Sequence, residues 1–244
     1  MIKELVGQLG QPTAYSGGPG LSVRWRTELH TATLETGDGY HVQLSVRRNL
    51  GLKEHKWSWP RPGSLKNEAL PYLWRYQPCG RTLPEPAARL AQNWVELEEA
   101  LATLLRSWCQ HLELLFGDRD AGFTIDHGDG QLILMVDPGT GIEDPGDGVA
   151  VFADKRDGTD RNSRQLRAMT ARGWHSYIPV LSYWEAYFDR GRDGSEAAAR
   201  LVVEELRARG VSGPDALRLI RPSVGSKGGW LDVPGAGIAP GAPQ

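Results

Sequence analysis

The chain has little cysteine, no long apolar run and almost no net charge. Two cysteines among 244 residues, Cys79 in a Pro-Cys-Gly turn and Cys109 inside an amphipathic stretch, do not make a disulfide framework and read as reduced, incidental thiols. No apolar run approaches the ~18 residues of a spanning helix, so no membrane partner is expected. The opening Met1-Ile2-Lys3-Glu4-Leu5 lacks a basic region followed by an apolar one, and a cytoplasmic chain is expected. A net charge of −2 does not by itself call for nucleic acid or a lipid surface.

Motifs that carry chemistry are sparse as well. There is no Gly-x-Ser-x-Gly elbow and no phosphate-cradling loop followed by Lys and Ser or Thr. Asp154, Asp157, Asp160 and Asn162 are spaced like part of an oxygen-ligand loop. They miss the calcium-hand pattern, because the glycine is at 158 and no Glu closes the loop. Cys109 and His111 lie two apart on a predicted helix and point different ways. No metal or cofactor is expected.

What the chain has is enough apolar content, 40%, to build a packed core, and an uneven charge distribution. Between His41 and Arg81, eight Lys or Arg face two Glu, a local +6, and Thr82 to Gln244 carries −7. In the basic segment, Arg47, Arg48, Lys53, Lys56, Arg61 and Lys66 stand beside Trp57 and Trp59. Rings with cations suit single-stranded nucleic acid through stacking and phosphate neutralisation. They equally suit an acidic protein surface, or a loop that buries its rings and keeps its charges wet.

Periodicity gives an α+β fold with mainly antiparallel sheets packed on helices. Ile2, Leu5, Val6 and Leu9 mark a helix. Strands follow at Leu21–Arg26, Leu29–Leu34 and Tyr40–Val46, and a short strand or helical turn near Leu70–Tyr76. A long helix starts at Pro84 and runs to Phe116, with Leu90, Trp94, Leu97, Leu101, Leu104, Leu105, Trp108, Leu112 and Leu115 on its apolar stripe. A hairpin of Phe123 and Ile125 with Leu132, Leu134 and Val136, a strand at Val149–Ala153 and a helix at Ser163–Arg172 come next. Ser195 is expected to cap a further helix ending at Gly210, and Pro214 to open a last helix to Ile220. Residues 1–83 form one sheet-rich unit, 84–221 a second unit and 222–244 a flexible Gly/Pro/Ala-rich tail. Thr33–Gly39 and Thr124–Gly130 share a Gly-Asp-Gly turn, the single hint that the first unit is a diverged copy of the second.

Leu166 to Trp174, then Trp184, then Ala197 to Arg207 and Gly210 to Leu217, resemble the bacterial YbjN-like, type III secretion chaperone-like family. The resemblance covers about half the chain, roughly residues 94–221. It implies a twisted antiparallel sheet with helices on one side, often dimeric, without cofactor or catalysis, holding an extended segment of another protein. The expected function is therefore a non-catalytic chaperone, adaptor or immunity-type protein of a bacterial secretion or conflict system, bound to another protein or to a second copy. Trp57, Trp59, Trp174, Trp184 and Trp230 are the expected anchors, with Arg47, Arg48, Lys53 and Lys56 steering an acidic surface toward them. One alternative is nucleic-acid binding by the basic aromatic segment 47–66. The other is a metal-dependent enzyme assembled from Asp126, His127, Asp129 and Asp154, which must then converge in one concave site.

Overall fold

The computed structural model describes residues 2–18, 20–36, 41–48, 72–78, 88–116, 120–128, 130–137, 148–154, 163–175, 183–225 and 229–241. The chain forms two compact units: residues 1–87 with 226–235, and residues 88–225 with 236–244. Among the described residues each is built on a six-stranded sheet, and the fold is α+β.

The first unit opens with helix α1 (Ile2–Leu9), whose Ile2, Leu5 and Val6 are half-buried. The sheet strands are β1 (Ala14–Gly17), β2 (Leu21–Arg26), β3 (His30–Thr36), β4 (Val42–Arg48) and β5 (Trp74–Gln77). A last strand, β11 (Trp230–Asp232), comes from the C-terminal segment. The order is β11-β5-β1-β2-β3-β4, with every neighbouring pair antiparallel. Alternation decides the faces: Leu21, Val23 and Trp25 are buried while Ser22, Arg24 and Arg26 are not. Trp74 is fully buried over Gly17, where an added Cβ would come within 2.3 Å of its indole nitrogen.

In the second unit, helix α2 (Trp94–Phe116) leads into β6 (Ala121–Asp126), β7 (Gln131–Asp137) and β8 (Gly148–Asp154). Then come α3 (Ser163–Ala171), β9 (Tyr183–Asp189), α4 (Arg192–Ala208), β10 (Arg218–Val224) and β12 (Ala239–Pro240). The strand order is β12-β10-β6-β7-β8-β9. Helices α2 and α4 pack on each other and on strands β7 to β9. Leu97, Leu101, Leu104 and Leu105 of α2 are fully buried, each worth about 1.5–3 kcal/mol of transfer free energy. Phe123, Ile125, Leu132, Leu134, Val136 and Val151 supply the sheet side of the core.

Several expectations need correction. Helix α2 begins at Trp94, not Pro84, because Asn93 caps it and Glu96 holds the residue before the cap. Asn93 Oδ1 accepts from the Glu96 N–H at 3.0 Å, and the Glu96 carboxylate accepts from the Gln92 N–H at 3.0 Å. Upstream, Ala91 N–H donates to the Gly237 carbonyl and is committed outside a helix. Helix α4 begins at Arg192, and buried Ser195 donates its hydroxyl back to the Gly191 carbonyl at 2.6 Å instead of capping. The stretch after Pro214 gives one 3-10 turn, Pro214–Ala216, and then strand β10. Its register shifts between Ile220 and Ser223, around Pro222, which has no N–H to donate.

The expected tail is also corrected. Residues 231–238 are buried, and the segment supplies an edge strand to each sheet. Leu231, Val233, Ala236 and Ile238 provide the apolar contacts, and the glycines provide close approach. Gly237 sits at φ 78° with α2's Ala100 only 3.0 Å from where a Cβ would stand.

Candidate protein-binding edge

Among the described residues, strand β4 is the last strand of the first sheet and pairs only with β3. Registers align Val23 with Leu34 and Leu34 with Leu44, one row of apolar side chains on one face. Exposure along that row is 0% at Val23, 3% at Leu34 and 50% at Leu44. The apolar face of the sheet therefore runs out into solvent at β4. Val42 and Val46 flank Leu44 on the same face and are 48% and 65% exposed. Leu29, in the turn before β3, is exposed as well.

Arg47 and Arg48 end the strand, opposite Thr31 and His30. Both are exposed, and consecutive strand residues project to opposite faces, so each face ends in a guanidinium. No carboxylate among the described residues pairs with either. Edge strands ordinarily carry charges that deter further pairing. Here the charges sit at one end, and among the described residues no strand covers the exposed apolar stripe from Val42 to Val46.

The other expected anchors fall elsewhere. Trp174 and Trp184 are corrected: at 0% and 1% exposure they are core residues of the second unit and present no ring to a partner. Gly173, at φ 94°, ends α3, and the Trp174 N–H donates to the Met169 carbonyl, which turns the indole inward. Trp184 is on the inward face of β9, opposite Ala153. Trp230 is half-buried, and its indole N–H donates to Asp232 Oδ1 at 2.6 Å, so its polar tip is used within its own unit. Lys53, Lys56, Trp57 and Trp59 lie outside the described residues.

The acids proposed for a metal site converge in part, but on a cation. Arg209 is 3% exposed; its Nε donates to Glu205 at 2.8 Å and its guanidinium pairs with Asp154. Arg209 Nη2 donates to the Asp154 carbonyl at 2.9 Å, and His127 Nε2 lies 3.4 Å from Nη1, the nitrogen that pairs with the Asp154 carboxylate. Arg172 reaches the second Glu205 oxygen at 3.0 Å. Gly210, at φ 80°, terminates α4 and aims Arg209 into this cluster. Burial, and next the Arg209 charge, hold His127 below the ordinary histidine range. Asp126 does not join: its Oδ1 accepts from the Gly128 N–H at 2.8 Å and closes its own hairpin. Asp129 lies outside the described residues. Among the described residues, no group of three or more His, Cys, Asp or Glu could hold a metal ion. The arrangement works as a clamp joining α4, β8 and the β6–β7 hairpin.

Sequence reasoning placed Arg47 and Arg48 in the site but missed Val42, Leu44 and Val46. Their alternation reads the same for an inner strand and for an edge; only sheet order separates the two. Among the described residues, no helix is long and apolar enough to cross a membrane. Compared with known proteins, the chain matches no family model, no curated protein and no solved structure.

Proposed function

We propose that this chain is a non-catalytic protein-binding module of chaperone or adaptor type, which receives its partner on the β4 edge. The supporting observation is the coincidence on one strand of three exposed aliphatic side chains with, among the described residues, an edge that pairs on one side only and two arginines that no carboxylate pairs. Apolar side chains at about half exposure on a free edge lower the free energy of the chain when a partner covers them. The chaperone-like class rests on the resemblance of the segments from Leu166 to Leu217, and a role in a bacterial secretion or conflict system rests on the same resemblance. Nucleic acid fits the described edge less well, because β4 offers aliphatic stems where base stacking needs rings.

The test is site-specific photo-crosslinking in the cells that express the protein. A photoreactive residue at position 44 should give a discrete adduct with one protein, and one at exposed position 204 on α4 should not. That protein, purified, should bind the wild-type chain and lose binding to Val46→Glu. Equal labelling from both positions, or none, removes the reading.

A further inference from the structure

The β4 edge constrains what can occupy it. An edge strand leaves one row of backbone N–H and C=O groups without neighbours, and an extended segment satisfies such a row as a further strand, whereas a helix does not. Across that row, side chains of an added strand meet those of β4 in directly opposed pairs. The seven residues from Val42 to Arg48 therefore read out a pattern. On one face come Val42, Leu44, Val46 and Arg48; on the other, Gln43, Ser45 and Arg47. Three positions call for apolar side chains at alternate residues, and the two between them tolerate polar ones. The last two positions face a guanidinium on each side of the sheet.

We infer that the occupant is an extended segment of another protein with two consecutive acidic residues at one end and alternating apolar residues along the rest, added as a seventh strand outside β4. This rests on the protein-binding reading above and specifies the partner. Two consecutive carboxylates are needed because Arg47 and Arg48 point to opposite faces, so one acid can serve only one of them. A second copy of this chain fits less well. Residues 41–48 read His-Val-Gln-Leu-Ser-Val-Arg-Arg, so edge-to-edge pairing would match the aliphatic stripes but bring no carboxylate to the four arginines.

A fluorescein-labelled peptide serves as the probe: two leading acids, then valine, serine, leucine, threonine and valine, read by anisotropy against the full chain. Its reverse-order version tests the parallel alignment. One of the two should bind saturably. Leu44→Glu should weaken that binding by about tenfold or more, and so should the double variant Arg47→Glu/Arg48→Glu. A peptide with two lysines in place of the acids should recover binding to the double variant and not to the wild type. All three side chains are exposed, so these changes leave the core intact.

Absence of saturable binding by either peptide, or equal binding to wild type and variants, overturns the inference. So does a dimer of the full chain in sedimentation that Leu44→Glu dissolves, which assigns the edge to a second copy. A specific crosslinked adduct at position 44 without peptide binding sinks the acidic-segment assignment alone. A missing adduct sinks the protein-binding reading with it.

Discussion

Asp232 stands directly opposite Arg75 across the β11–β5 ladder, and Arg75 Nε donates to Asp232 Oδ2 at 3.0 Å. The two side chains are 4% and 8% exposed, so this is a buried ion pair between residues 157 positions apart in sequence. The Tyr72 ring lies 5.4 Å from the Arg75 guanidinium, and the Trp230 N–H occupies the other Asp232 oxygen. Removing one partner leaves the other charge buried. Asp232→Ala should cost the first unit about 3–5 kcal/mol, seen as lost hydrogen-exchange protection of the Trp74–Gln77 amides. Replacing both partners with apolar residues of similar volume should recover most of that loss, since the pair's desolvation cost goes with it. If Asp232→Ala leaves β5 protected, the C-terminal segment is not what secures that strand.

That pair also shows where the sequence stopped being readable. Elements set by local periodicity were legible: α1, β2 to β4, the apolar stripe of α2, the β6–β7 hairpin, β8 and α3. Elements set by distant partners were not. Strand β11 lies in a stretch whose Gly/Pro/Ala composition looks like a tail, yet Gly235 is there because a Cβ would stand 2.8 Å from Leu73 Cα. Strand β10 was hidden by Pro222 at its register shift. Tryptophans beside turns resemble exposed anchors, but whether Trp174 faces in or out is decided by the cap at Gly173. The shared Gly-Asp-Gly run lies in sequence between β3 and β4 in the first unit and between β6 and β7 in the second, pairs that hold different places in their sheets. The likeness of the units lies in topology. In each, a helix precedes four strands that pair antiparallel in chain order, a later strand pairs antiparallel with the first of the four, and the C-terminal segment adds the outermost strand.

The Arg209 clamp predicts a stability loss that charge alone cannot repair. Glu205 is 4% exposed and receives both Arg209 and Arg172. Arg209→Met should destabilise the second unit by about 3–5 kcal/mol, because Glu205 loses its buried partner. Arg209→Lys keeps the charge, yet a single ammonium cannot reach Glu205, the Asp154 carboxylate and the Asp154 carbonyl together. It should therefore recover only part of the loss in urea denaturation. Full recovery by lysine would show that net charge, not the forked geometry, matters there.

Acid should weaken the second unit through two histidines. His127 is held below the ordinary value of 6.5 by burial and then by Arg209, with Asp154 and Asp126 opposing. His111 is lowered by burial, opposed by its hydrogen bond to Ser107. A depressed histidine binds fewer protons folded than unfolded, so stability falls as pH drops through 6.5 toward the folded values and is retained above. Melting temperature should decline across that window, and His111→Gln with His127→Gln should flatten the slope. An unchanged slope in the double variant would place the titration elsewhere.

Trp108 offers the cleanest separation of packing from hydrogen bonding. It is fully buried in α2, with its ring edge-on to Phe123 at 5.7 Å between centroids. Its indole N–H finds no acceptor among the described residues. The side chain is thus held by area and shape, and its one polar atom opposes burial by about 1–3 kcal/mol. Trp108→Ala should cost about 3–5 kcal/mol, the usual loss for emptying an aromatic site. Trp108→Phe gives up part of the ring volume and also removes the unsatisfied donor, so its cost should stay below about 2 kcal/mol. The comparison is made by urea titration of each variant, followed by near-ultraviolet circular dichroism. If phenylalanine proves as damaging as alanine, the indole N–H has a partner that stabilises the fold, and the core around α2 is polar where it looks dry.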